Sequence, residues 1–154
     1  MFKTIVWATD GSELADGALE TVVELARIHS SHIVAVHADE RLRGRFGGAP
    51  VLADEDDLRD KIHEQVEHLR ETGFDVELKF AVGSTHPADE LIAEAARQVD
   101  ADLIVVGTHG RGVIGTAILG SIAKGLLHVA PCPVLAVPPP GRVIAPAHDA
   151  VLMA

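Results

Sequence analysis

Tyrosine is absent from this 154-residue sequence, and aromatic side chains make up only 3% of it. So few rings exclude the stacking platforms on which single-stranded nucleic acids are held, and leave the core to Val, Ile, Leu and Ala. A single cysteine, Cys132, cannot close an intrachain disulfide, which suits a reducing compartment. Basic residues are also scarce, 13 against 23 acidic ones, for a formal net charge of −10. That balance argues against nucleic acid or an anionic membrane as a partner. The apolar run after Met1-Phe2-Lys3 stops at Asp10, too short for a signal peptide or a membrane span, so the expected location is cytoplasmic.

What the sequence has is alternation. Five short aliphatic runs, Thr4–Thr9, His32–His37, Val76–Ala81, Leu103–Gly107 and Val134–Val137, read as strands. Several are apolar on both faces, as buried parallel strands are. Between them lie four helical patterns. The first, about Ser12–His29, spaces Leu14, Ala18, Val22, Leu25 and Ala26 near one face. The second, about Asp54–Thr72, has a stripe of Leu58, Ile62, Val66 and Leu69 and a stop at Gly73. The third, about Pro87–Val99, carries Leu91, Ile92, Ala95, Ala96 and Val99. The fourth carries Ile118, Ile122, Leu126 and Leu127 and ends near Ala130, before Pro131. Strict βαβαβαβαβ order predicts an α/β fold: an open five-stranded parallel sheet with right-handed crossovers and helices on both faces. Residues 38–53 read as a mobile connection, and the domain is expected over 1–138, with a proline-rich tail over 139–154.

One absence is local. From Leu103 to His148 there is no Asp or Glu, although Arg111, Lys124 and Arg142 are present. The segment opens with Gly107-Thr-His-Gly-Arg-Gly directly after the fourth strand. In open parallel sheets ligands bind beyond the carboxyl ends of the strands. A glycine-rich turn there brings main-chain N–H groups and a helix N-terminus to an anion such as phosphate. A buried C-terminal half would also lack acids, so the charge pattern supports the anion site without requiring it. Gly110-x-Gly112-x-x-Gly115 fits the dinucleotide fingerprint, but no acid follows about 20 residues later, and the motif sits after the wrong strand. Lys124 lacks the neighbours of a P-loop.

The spacing Gly107-x2-Gly110-x9-Gly120-Ser121 resembles the nucleotide-binding signature of the universal stress protein family. The resemblance covers about residues 3–138. It includes Ile5-Val-Trp-Ala-Thr-Asp-Gly-Ser12, His37-Ala38, Ala101–Gly110 and Ala130-Pro-Cys-Pro-Val-Leu135. It implies a Rossmann-like fold of the adenine nucleotide alpha hydrolase type, binding ATP or a related adenine nucleotide, with Mg²⁺ carried on the phosphates. Under it, Gly107 and Gly110 line the ribose and phosphates, Gly120 and Ser121 hold phosphate, and Ile122 and Ala123 add mainly main-chain contacts. Asp10 hydrogen-bonds the nucleoside with Ala8 and Thr9 beside it, and Ala38 meets the adenine through its main chain. His109, inside the glycine loop, is either a phosphate contact or a solvated loop residue. The resemblance also implies a homodimer through the final strand, a nucleotide-responsive role in stress adaptation and an unknown downstream protein partner. The sequence departs from the family at Gly83–Pro87, which is longer than the usual turn, and at Ala123, where some relatives carry a hydroxyl.

Other readings compete with these roles. Asp10 and Ser12 both suit the cap of the first helix. The pairs His29/His32 and His63/His68 lack the partners of a metal site. Cys132 reads as a small buried hydrophobe rather than a nucleophile. No nucleophile elbow or carboxylate pair marks a hydrolase, so enzymatic activity stays open. A slow Mg²⁺-dependent ATPase or phosphotransferase, and a nucleotide-free dimerisation scaffold, are the alternatives.

Overall fold

In the computed structural model, β1 (Thr4–Ala8) carries Ile5, Val6 and Trp7 with no exposed surface at all. A strand buried on both faces can only be interior to a sheet covered on both sides. The structure describes residues 1–39, 52–83, 85–109 and 119–141. β1 pairs in parallel with β2 (His32–Asp39) and with β4 (Leu103–Gly107); β3 (Val76–Val82) and β5 (Val134–Val137) form the two edges. The order is β3-β2-β1-β4-β5, the open parallel sheet expected from the sequence.

Each helix buries a narrow stripe. α1 (Glu13–His29) turns Ala18, Val22 and Ala26 inward, and α2 (Leu52–Glu71) turns Ile62, Val66 and Leu69 inward, both against one face of the sheet. α3 (Ala88–Gln98) and α4 (Ser121–Val129) cover the other face with Ile92, Ala95, Ala96, Ala123 and Leu126. Full burial of each branched side chain contributes on the order of 1.5–3 kcal/mol, so two such layers carry most of the fold, with Trp7 the one fully buried aromatic hydrophobe among the described residues. α2 ends as expected at Gly73, whose φ of 93° is readily reached only without a side chain.

Several expectations shift at their margins. Thr9 lies outside β1, and β2 continues past His37 to Asp39 because β3 pairs with it as far as Val82. Leu127, placed in the apolar stripe of α4, is 58% exposed, and Ala123 takes the inward position. The expected connection over 38–53 is bounded by Asp39 and by Leu52; residues 40–51 lie outside the described residues. Of the tail, residues up to Gly141 are described, and Pro140 packs on α1 at Gly17, where an added Cβ would stand 3.0 Å from its ring. Among the described residues no helix is long and apolar enough to cross a membrane.

Candidate functional site

Chain order places the reversal of the sheet at β1. The chain steps outward to β2 and β3, then crosses back to β4 on the other side of β1. At such a switch point neighbouring crossovers depart to opposite faces and leave a crevice beyond the strand ends. A cavity of about 150 Å³ occupies that position. Its walls are apolar: Ala8 and Val106 from the strand ends, Ala38 from β2, and Ala15, Ile92 and Ile122 from α1, α3 and α4. Thr9, Asp10, His37, Gly107 and His109 complete the lining with polar and main-chain groups.

Three segments at the strand ends build this lining. After β1, Thr9 N–H donates to Val36 C=O at 3.0 Å, and Thr9 Oγ1 accepts from Gly11 N–H at 3.1 Å. Gly11 has φ 73° and sits against Leu58, so the corner accepts no side chain without strain. Asp10 Oδ1 accepts from Ser12 N–H at 3.0 Å and Ser12 Oγ at 2.6 Å, an Asx turn that fixes the carboxylate at the cleft. Ser12 is the N-cap of α1 by position and makes no side-chain cap bond. Near the end of β2, buried His37 places Nδ1 2.9 Å from Thr9 C=O.

The third segment leaves β4. Thr108 N–H donates to Val137 C=O at 2.8 Å, its carbonyl accepts from Gly120 N–H at 2.7 Å, and its hydroxyl lies 2.8 Å from His109 Nδ1. One residue thus closes the base of the glycine loop, ties it to β5 and orients the histidine. An added Cβ at Gly120 would stand 3.1 Å from Thr108 O, so a side chain here would press on the oxygen that closes the loop. α4 then starts with no acid in its first turn, whereas α1 begins with Glu13 and Asp16 and α3 with Asp89 and Glu90.

Of the residues singled out in the sequence, Ala8, Thr9, Asp10, Ala38, Gly107, His109 and Ile122 meet at the cavity. Gly120 and exposed Ser121 stand beside it at the start of α4. The Ala123 side chain is buried against α3. Gly110 lies outside the described residues. Sequence reasoning missed Ala15, Ile92, Val106 and His37 as lining. Nothing local marks the first three; the polar His37 inside an apolar strand was the available signal. Cys132 is half-buried, and burial pushes its thiol up, with the Asp102 charge adding to this. Among the described residues no group of three or more His, Cys, Asp or Glu is placed to hold a metal ion.

Fold and cleft together define a doubly wound α/β protein with a crevice at its switch point. The chain belongs to the universal stress protein family, whose pattern matches residues 1–138. A universal stress protein of Thermus aquaticus is 37% identical over 142 residues, spanning 89% of this chain and 99% of its own. The universal stress protein of Archaeoglobus fulgidus, solved in complex with dAMP, superposes with a TM-score of 0.65 at 26% identity, covering 88% of this chain and 97% of its own. A further universal stress protein, solved in complex with cAMP, gives 0.59 at 26% identity over 90% and 98% of the two chains.

Proposed function

We propose that this protein binds ATP, or a related adenine nucleotide, in the switch-point cleft and acts as a nucleotide-responsive module in stress adaptation in the cytoplasm. The observation that carries this reading is the cleft's division of labour. Aliphatic walls suit the faces of a purine, and Gly107 and His109 line the cleft on the turn that leads from β4 toward the acid-free start of α4. The two relatives solved with dAMP and cAMP support an adenine nucleotide as the ligand class.

In this reading Ala8, Ala38, Ile92 and Ile122 enclose the base, and the Asp10 carboxylate, already fixed by Ser12, accepts a ribose hydroxyl. Gly107, Gly110, Ser121 and Ala123 offer main-chain N–H groups to the phosphates, the Ser121 hydroxyl donates to them as well, and Gly120, bonded to Thr108, lets the loop pass close beside them. His109, oriented by Thr108, adds a donor on the same side. A Mg²⁺ ion bound with the phosphates would neutralise part of their charge, since this ion keeps most of its ligands as water and phosphate oxygen. A conformation that holds the nucleotide more tightly is then populated by it, and a protein partner reads that state.

Homodimerisation through β5 is part of the same proposal. The β3 edge carries charge at Glu77 and Lys79, which discourages strand addition. The β5 edge has the sequence Val-Leu-Ala-Val with Leu135 38% exposed.

Denaturing freshly purified protein and identifying the released small molecule by chromatography and mass tests the function directly. Stoichiometric ATP or another adenine nucleotide is expected. An empty protein that also fails to bind ATP, ADP or cyclic AMP in calorimetric titration would overturn the proposal.

A further inference from the structure

His37 is buried to 1% exposure at the rim of the cleft, where solvent cannot satisfy its ring. Its Nδ1 lies 2.9 Å from Thr9 C=O. A carbonyl only accepts, so Nδ1 carries the hydrogen and donates. The ring is held from the other side by the Phe80 edge, at 6.1 Å between centroids and 85° between planes. The tautomer and the orientation are therefore both fixed.

The acceptor is the informative partner. The paired register of β1 and β2 runs from Thr4 with His32 to Ala8 with Val36, and Thr9 N–H to Val36 C=O extends the ladder past it. Successive residues of an interior parallel strand direct their main-chain groups to alternate neighbours. Val36 faces β1, His37 faces β3, and Ala38 turns back toward β1. The next rung would join Ala38 N–H to Thr9 C=O, the carbonyl on which the imidazole sits. Beyond this point the strands part, and the Ala38 main chain faces the cavity that it lines.

We infer that His37 is a positioning residue: by occupying Thr9 C=O it ends the β1–β2 ladder one rung early and leaves the Ala38 N–H and C=O for a nucleobase. The inference rests on the nucleotide-binding reading above and adds the origin of base selectivity. An N–H beside a C=O complements adenine, which offers a ring-nitrogen acceptor beside an amino donor. Guanine offers a carbonyl beside a ring N–H, and so opposes acceptor to acceptor and donor to donor. Without the imidazole, Ala38 N–H pairs with Thr9, and the donor half of this recognition is lost.

The test is the ATP-to-GTP affinity ratio, measured by titration for wild type, His37→Asn, His37→Gln and His37→Leu. The Asn amide nitrogen reaches the place of Nδ1, whereas that of Gln reaches the place of Nε2. His37→Asn is therefore expected to keep the ratio within about threefold, and Gln and Leu to lower it about tenfold, the loss of one hydrogen bond. Equal ratios in all four proteins, or rescue by Gln and not Asn, would overturn the role of His37 while leaving nucleotide binding intact. Failure of the wild type to bind ATP would instead overturn the functional reading together with this inference. A measurement on the unaltered protein decides the matter if the variants do not fold. The Ala38 amide should exchange rapidly with solvent in nucleotide-free protein and slowly with ATP bound. Strong protection without nucleotide would mean that the rung is formed, and would overturn the inference.

Discussion

Gly120 carries a second constraint besides any ligand. Its N–H closes the loop onto Thr108 C=O, and a Cβ would press on the same oxygen at 3.1 Å. Gly120→Val is expected to break that closure, weaken ATP binding at least about tenfold in titration, and leave the proposed dimer assembled in light scattering at high concentration, since β5 itself is untouched. Asp102 works at the opposite end of the sheet, where its Oδ2 accepts from Lys3 N–H at 2.7 Å and Thr4 N–H at 2.9 Å. These main-chain donors, Thr4 foremost, hold its carboxyl below the ordinary value of 3.8. A depressed carboxyl stabilises the fold fully above that ordinary value and loses its contribution as pH falls through the lower folded one. Asp102→Asn should therefore lower Tm at pH 7, with the gap from wild type closing as pH drops below about 3.8, in thermal melts across pH.

Between elements, α4 packs on α3 at Gly125, where an added Cβ would lie 2.1 Å from Asp89 Oδ2. Gly to Ala inside a helix ordinarily gains about 1 kcal/mol. Gly125→Ala should lose that gain in the wild-type background, where the Asp89 carboxylate stands in the way, and recover only part of it in an Asp89→Ala background, whose Cβ would still lie 2.9 Å away. Chemical denaturation of the four proteins in a double-mutant cycle reads the difference. The same packing explains what was legible in the sequence and what was not. The strands Leu103–Gly107 and Val134–Val137 lie where the aliphatic runs place them, and Gly73 and Pro131 stop their helices through local chain geometry. Leu127 faces solvent because a nine-residue helix offers few turns to fix its inward face, and Ala123 and Leu126 fill it. The glycine turn of the site was legible because its residues are neighbours in sequence. Ile92 and Ala15 were not, because their part in the wall depends on where α3 and α1 lie across the sheet. The sequence marks His37 only as a strand end, and the register with β1 is what brings its ring to Thr9.

At the scale of the whole molecule the two sheet edges are unlike. Charged β3 is protected as it stands, and β5 leaves Leu135 exposed. Leu135→Arg is expected to convert a dimer to a monomer in sedimentation at micromolar concentration while the melting curve stays cooperative, since Leu135 is not a core side chain. Thr108 gives this edge a reach beyond assembly. The peptide group that receives Gly120 at the loop is followed back through the same residue to Val137, the last residue of β5. Two equilibria that share one short covalent lever are bound by reciprocity: whatever pairing at the edge does to the loop, loading the loop does equally to the pairing. Crowding more copies into a cell would then retune each copy's sensitivity to its ligand, with no change in ligand supply. A titration repeated above and below the dimer dissociation constant should return two different affinities, and one common affinity would show the lever to be slack.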